Sequence, residues 1–443
     1  MILPAAYCAR MKKLLGGEYS LYESSLSQPP VRAVKVNTHK ISVSDFTEKS
    51  GIPVKMPGLF DDCFILGENF KIGKNPLHHG GAVYVQEPGA MLPVIAADFN
   101  GGEKVLDMCA APGGKTVQAA CRASEVLANE IDYKRAVTLA GNIERMGFKN
   151  VAVSNYSPDA LENFYCGYFD AVIVDAPCSG EGMFRKELSA VADWSEENVS
   201  GCAARQKKIL VSADKTLRAG GKLIYSTCTF APEENEDNVA FLVRELGYEL
   251  IAPSPVVIPY SVRGEERSGL NPEYMRRVYP HNGIGEGQFF AVLIKTAGKS
   301  HGFKADKLPS AENNRLFCEF NKKFMKMPLD CKIAGSGVVL SAFDVPQGMR
   351  MISRGVKVGE LLPSRFVPAH NMFTALWKEV AAYMETDEDL AARYLHGEEL
   401  PCDLNGWLVV RYLGVPLGGG KASGGTLKNH YPKGLRNFTV EIK

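Results

Sequence analysis

The chain lacks a net charge of any size, a long apolar run and a Cys-x-x-Cys pair, and each absence excludes something. Lysine and arginine number 51 against 50 aspartates and glutamates, giving a formal charge of +1. A wholesale polycation that coats nucleic acid is thereby excluded, although a local basic groove is not. No run of about eighteen apolar residues occurs, so no membrane span is expected. Met1 to Leu15 lacks the layout of a signal peptide, because Lys12 and Lys13 follow its apolar stretch instead of preceding it. Without any Cys-x-x-Cys pair, zinc ribbons and thioredoxin-like redox sites drop out, and no metal is expected. The cysteines number eleven, an odd count with no secretory signal, which argues against a disulfide framework. The expectation is a reduced, cytoplasmic chain whose cysteines are mostly small buried hydrophobes.

What is present suits several globular domains. At 443 residues and 45% hydrophobic the chain can bury two to four cores. Residues 1–85 read as a small α/β unit, with a strand at Val31–Val36, a Ser42-capped helix stopped by Gly51, and a short apolar run at Cys63–Leu66. Between 86 and 298, apolar strands alternate with helical lengths: Lys104–Met108, Glu125–Asn129, Asn150–Val153, Phe169–Asp175 and Lys222–Tyr225. That alternation predicts a parallel, doubly wound α/β sheet, closed by a late pair near Glu249–Ala252 and Phe289–Ile294. Lys299–Asn314 reads as a polar linker. Two smaller units follow, at 310–380 with the basic run Arg350, Arg354, Lys357 and Arg365, and at 385–443 with a glycine-rich basic end.

Val105-Leu-Asp-Met-Cys-Ala-Ala-Pro-Gly-Gly-Lys-Thr116 is a strand, a glycine turn and a helix start. A phosphate-cradling P-loop fails here, because its first glycine would fall on Cys109. The dinucleotide pattern Gly-x-Gly-x-x-Gly is absent too. What remains is a ligand site at the carboxyl end of the first strand of a doubly wound sheet. Glu130 ends the second strand, where an acidic side chain grips ribose hydroxyls. This suits an adenosyl group without a phosphate tail; the plainer alternative is an ordinary turn with a surface glutamate.

Asp175-Ala-Pro-Cys-Ser-Gly180 follows one strand and Tyr225-Ser-Thr-Cys-Thr229 follows the next. If those strands are neighbours, about 5 Å apart, Cys178 and Cys228 emerge side by side at the ligand rim. A thiolate there can add to carbon 6 of a pyrimidine and make carbon 5 nucleophilic enough to take a methyl group. Asp175 is placed to hydrogen-bond the base, and a second thiol to help expel the first. Two incidental loop cysteines are the alternative.

Met108–Thr116, Asp175–Gly180 and Ser226–Thr229 resemble, in order and spacing, the Nop/Sun RNA (cytosine-5) methyltransferases. Gly182–Lys186, Pro280–Gly287 and Leu427–Arg436 resemble the bacterial RsmF-type ribosomal RNA branch, and Val36–Thr38 and Gln86–Pro88 fit the leading segment. The resemblance implies a Rossmann-like methyltransferase domain with a mostly parallel seven-stranded sheet, a small N-terminal unit and a PUA-like end. It implies that Cys109, Ala110, Ala111, Pro112, Gly113, Gly114 and Lys115 wrap S-adenosyl-L-methionine and that Glu130 holds its ribose. It further implies Cys228 as nucleophile, Cys178 as the aid to product release, and Asp175 between cofactor and cytosine. Relatives carry an adenine-contacting aspartate where this chain has Ser157, with Asp159 two residues on.

The expected substrate is ribosomal RNA or the small ribosomal subunit, acted on by a monomer. A transfer RNA cytosine-5 methyltransferase and a catalytically silent assembly factor are the alternatives. Arg185, Lys186, Lys421, Lys428, Lys433 and Arg436 are the candidate RNA contacts. Trp194 and His281 read as packing residues, and Pro232-Glu-Glu-Asn-Glu236 as helix-start chemistry before a direct catalytic role.

Overall fold

A computed structural model describes residues 3–282 and 284–437 of the chain. Met1, Gly283 of the Pro280–Gly287 motif and the last six residues of the expected 385–443 unit lie outside the described residues. The chain divides into two compact units, each assembled from separate stretches of sequence. The first comprises residues 1–33, 86–133 and 155–304; the second comprises 34–85, 134–154 and 305–443.

In the first unit the sheet is mixed. Lys104–Asp107 runs parallel to Glu125–Asn129 on one side and to Phe169–Asp175 on the other. Phe169–Asp175 in turn runs parallel to Leu217–Thr227, with Asp175 opposite Ser226. These strands are apolar on both faces because helices cover both, so Val105, Leu106, Val172, Ile173, Leu223 and Ile224 are fully buried. Beyond Leu217–Thr227 the sheet turns antiparallel through Gln288–Lys295, Met275–Val278 and Val262–Arg263, and Tyr248–Ile251 also pairs with Gln288–Lys295. The Rossmann-like fold is therefore as expected, with more antiparallel strands at one edge than the apolar pattern shows. Met275-Arg-Arg-Val278 escapes that pattern because its arginines look exposed. Both are buried and paired, Arg277 with Glu236 at 2.5 Å and Arg276 with Glu273 at 2.9 Å.

The second unit holds three sheets in addition to the Val151–Ser154 strand, which pairs antiparallel with Met351–Ser353. The N-terminal sheet has the order Cys63–Ile65, Ala33–Val36, Val83–Gln86, and it packs on helix Val43–Lys49. That helix starts where Ser42 accepts a hydrogen bond from the Asp45 amide. A four-stranded antiparallel sheet between Lys332 and Pro368 packs against helix Arg315–Phe324, which Asn314 caps. The PUA-like end is a five-stranded sheet around Gly406–Tyr412 and Val415–Ser423. The acidic Glu385–Glu399 stretch begins inside the strand Tyr383–Thr386. Helix Glu388–His396 follows after Asp387 caps it. Among the described residues no helix is long and apolar enough to cross a membrane.

Candidate active site

The site forms at the carboxyl ends of the parallel strands in the first unit. Phe169–Asp175 and Leu217–Thr227 end in register, and the Ala176 amide still donates to the Ser226 carbonyl at 2.9 Å. Their following loops therefore leave the sheet side by side. Cys178 and Cys228 are both free, partly buried thiols, and their sulfurs lie 3.3 Å apart. The Cys178 thiol is held well above its ordinary pKa, first by its hydrogen bond with Cys228 and then by burial and the negative Glu234 nearby. Cys178 thus keeps its proton beside the other sulfur.

Asp175 closes the strand that leads to Cys178. Its Oδ1 accepts from the Ser226 hydroxyl at 2.7 Å and its Oδ2 meets the Lys115 ammonium at 2.8 Å. Lys115 is buried in the first turn of helix Gly114–Ala120, so the two halves of the site are tied by one ion pair. The turn before that helix needs Gly113, whose φ of +117° is unfavourable for any residue with a Cβ. Ala110 anchors the same loop by donating to the Asn129 carbonyl at 2.8 Å. Cys109 and Gly114 are half-buried, Ala110, Ala111 and Gly113 buried, and Pro112 exposed.

Two further carboxylates face this loop. Glu130 is buried at the end of the second strand, where its Oε1 accepts from the Asp132 amide at 3.0 Å. Asp107, buried at the end of the first strand, takes a hydrogen bond from Thr116 at 2.7 Å on Oδ2. Its Oδ1 is buried with no hydrogen-bond partner among the described residues. Burial pushes Asp107 up to about 7, reinforced by Asp175 and Glu130 and opposed by Thr116 and Lys115. Three carboxylates around one lysine form an electronegative cradle with an open acceptor, which suits a ligand carrying positive charge.

Glu234 is the residue that sequence reasoning misplaced. It is fully buried and lies ahead of helix Glu236–Glu245, so it is not part of the helix start. Its Oε2 accepts from the Ser179 amide at 3.0 Å and from Gln206 Nε2 at 2.8 Å, while its Oε1 accepts from the Ser179 hydroxyl. Burial raises its carboxyl to about 7 against these bonds. Its neighbours in the Pro232–Glu236 run have other partners: Glu233 pairs with Arg10 at 2.7 Å and Glu236 with Arg277. The acidic residues of the first helical turn are Glu236 and Asp237.

Comparison with known proteins places this geometry. The family model described as "16S rRNA methyltransferase RsmB/F" matches residues 94–294, which contain the cysteine pair and the loop from Cys109 to Lys115. The "N-terminal domain of 16S rRNA methyltransferase RsmF" matches residues 3–88, and the "Methyltransferase RsmF PUA domain" matches 381–437. Ribosomal RNA small subunit methyltransferase F of Klebsiella pneumoniae is 32% identical over 98% of this chain and 96% of its own. The chain belongs to the RsmF branch of the RsmB/F methyltransferases.

The protein of the same name from Citrobacter koseri is 36% identical over 70% of this chain and 67% of its own. Among solved structures, a methyltransferase homolog from Pyrococcus horikoshii aligns with a TM-score of 0.55 at 29% identity, over 66% of this chain and 94% of its own. NSun6 from the same organism, solved with SFG, aligns at 0.56 and 22% identity over 66% and 98%, a likeness of fold.

Within this RsmF-branch chain the other expected site residues have diverse fates. Ser157 precedes the short helix Pro158–Leu161, and its hydroxyl bonds Asp159. Arg185 is locked inside: it donates to Glu286 at 2.6 Å and to the Ser25 and Gly285 carbonyls, with its side chain 4% exposed. Lys186 is more open and lies 4.0 Å from Glu286. Trp194 packs edge-on against Tyr7 and donates to buried Glu181, and His281 stacks on Tyr279. In the second unit Lys421 and Lys428 stand directly opposite each other on adjacent strands, both exposed. Lys433 is exposed, whereas Arg436 is half-buried against Gly397.

Proposed function

We propose that this ribosomal RNA methyltransferase transfers a methyl group from S-adenosylmethionine to carbon 5 of a cytosine in small-subunit ribosomal RNA, through a covalent adduct on Cys228. The 3.3 Å contact between the Cys178 and Cys228 sulfurs carries the reading. Two thiols on neighbouring strand ends, beside a carboxylate, are the equipment for adding a sulfur to a pyrimidine and removing it again.

The cofactor cradle fits S-adenosylmethionine on its charges. That molecule bears a sulfonium and an ammonium against one carboxylate, and Asp107, Glu130 and Asp175 outnumber Lys115 here. Glu130 would hold the ribose hydroxyls, the Cys109–Lys115 backbone the amino-acid end, and the open Oδ1 of Asp107 would accept from the ammonium. When bound, the cofactor supplies an electrophilic methyl group.

The chain's own residues do the rest. The Cys228 thiolate adds to carbon 6 of the cytosine, and the ring electrons shift toward carbon 5, which becomes enamine-like. Asp175, fixed by Ser226 and Lys115, hydrogen-bonds the edge of the base and holds it for attack. After methylation, a water molecule acting as base takes the carbon 5 proton, its bonding pair forms the carbon 5–carbon 6 double bond, and the bond between carbon 6 and sulfur breaks with its pair going to sulfur. Cys178, still protonated, donates its S–H to the departing sulfur, which lowers the cost of expelling it.

Bisulfite sequencing of ribosomal RNA from cells with and without the gene tests this. Loss of one or more 5-methylcytosines from the small-subunit RNA is the expected result. Unchanged ribosomal RNA with a lost 5-methylcytosine in transfer RNA would transfer the assignment to that substrate, and no change in either would refute cytosine methylation.

A further inference from the structure

We propose that Glu234 is a positioning residue for product release: it holds the Cys178 loop against the Cys228 loop so that the two sulfurs meet. This rests on the roles given above to Cys178 and Cys228. The residues immediately after the two cysteines are joined hydroxyl to hydroxyl, Ser179 Oγ to Thr229 Oγ1 at 2.9 Å. Glu234 grips that junction from the Cys178 side, taking both the amide and the hydroxyl of Ser179. It is itself held. The Tyr225 hydroxyl donates to the Glu234 carbonyl at 2.5 Å, and Asn238 Nδ2 to the same oxygen at 3.0 Å. Tyr225 belongs to the strand that ends in Cys228 and is fully buried, so the grip is referenced to the sheet.

On the Cys228 side the backbone is fixed independently. The Gly182 amide donates to the Cys228 carbonyl at 2.8 Å. A Cβ on Gly182 would lie 2.8 Å from that oxygen and 2.8 Å from the Gly287 Cα, so the segments pack backbone on backbone. Cys228 therefore retains supports when Glu234 is lost, whereas the Ser179 end of the Cys178 loop loses both bonds to the carboxylate. The consequence is directional: attack should survive and expulsion should suffer. A carboxylate is not strictly required. A glutamine offers one oxygen to the two N–H donors, and its NH₂ then faces the Ser179 hydroxyl, which can turn its own proton toward Thr229.

The test uses the full-length protein, S-adenosylmethionine and small-subunit ribosomal RNA. Single-turnover and multiple-turnover methylation are measured, and the covalent protein–RNA complex is followed on denaturing gels. Glu234→Ala is expected to keep single-turnover methylation within about threefold of wild type. Multiple turnover should slow by about tenfold to a hundredfold while the adduct persists, the scale of loss that follows small misplacements. Glu234→Gln is expected to recover most of the turnover. Ser179→Ala removes the hydroxyl bond and keeps the Ser179 amide on Glu234, and it should show the same split to a lesser degree even if Glu234→Ala folds poorly.

Equal losses in single and multiple turnover would overturn the proposal, as would a Glu234→Gln protein that traps adduct as fully as Glu234→Ala. Cys178→Ala distinguishes the two levels of inference. If it traps adduct and neither Glu234→Ala nor Ser179→Ala does, the positioning role alone is wrong. If none of the three traps adduct, the release role of Cys178 is wrong and that of Glu234 goes with it.

Discussion

Cys178 and Cys228 are fifty residues apart in the chain, and their sulfurs are 3.3 Å apart in the fold. In the reaction proposed above, the contact divides the labour of the two thiols: Cys228 attacks, and Cys178 keeps its proton beside it. Cys228→Ala should lower methylation below roughly a thousandth of wild type and form no adduct, as removal of a nucleophile does. Cys178→Ala should complete a first methyl transfer and then stall as a covalent complex with RNA. Gel retardation under denaturing conditions separates these outcomes, and adduct in Cys228→Ala with none in Cys178→Ala would reverse the assignment.

Glu130 is buried at the end of its strand, where its carboxylate accepts from the Asp132 amide, and it is the residue proposed to hold the ribose. Glu130→Gln should weaken S-adenosylmethionine binding by about tenfold to a hundredfold, the scale of a hydrogen bond to a charged acceptor. Titration calorimetry on the RNA-free protein measures this directly. An unchanged dissociation constant would remove Glu130 from the site.

Asp107 makes the unliganded protein sensitive to pH. Its folded pKa is raised to about 7 from 3.8, so between these values the folded chain holds a proton that the unfolded chain has released. The associated stability is complete below about pH 4 and is lost as pH rises through about 7. Asp107→Asn should therefore melt a few degrees above wild type at pH 8, with the difference shrinking toward pH 5. Saturating S-adenosylmethionine should reverse the order at pH 8, because a bound cation favours the aspartate.

Arg277 and Glu236 are both fully buried, and Arg277 also donates to the Phe230 carbonyl two residues past Cys228. Arg277→Ala strands a carboxylate in the core and should cost about 3–5 kcal/mol of stability. Denaturant unfolding of this variant against Arg277→Ala/Glu236→Ala checks the cause, since removing both partners should recover part of the loss.

Lys421 and Lys428 oppose each other on adjacent strands, an arrangement that disfavours the isolated fold and favours a bound polyanion. Changing both to serine should weaken RNA binding more at low salt than at high salt. The slope of log affinity against log salt should fall by about two if both touch phosphate. An unchanged slope would place the RNA elsewhere.

Local pattern made much of this fold legible. The apolar strands Glu125–Asn129 and Phe169–Asp175 have the bounds their sequence suggests, because strands buried on both faces are uniformly apolar. The short antiparallel strands were not legible: Val262–Arg263, Met275–Val278 and Met351–Ser353 give little pattern, and Arg276 and Arg277 are buried only because Glu273, Ser261 and Glu236 neutralise them or accept their hydrogen bonds. The same limit hid Arg185, which reads as a surface cation until Glu286 and two carbonyls consume its donors.

By itself the sequence determined which chemistry is available: two cysteines after two strands, an aspartate and a glutamate at strand ends, and a glycine turn between the first strand and its helix. Strand ends are set by local apolar periodicity and turn residues, so their contents can be read along the chain. Only the tertiary structure decided which groups meet. Ser179 and Glu234 lie 55 residues apart, and no periodicity links them. Their contact exists because a buried polar group must find its partners among the groups the fold brings close, and that competition is settled in three dimensions.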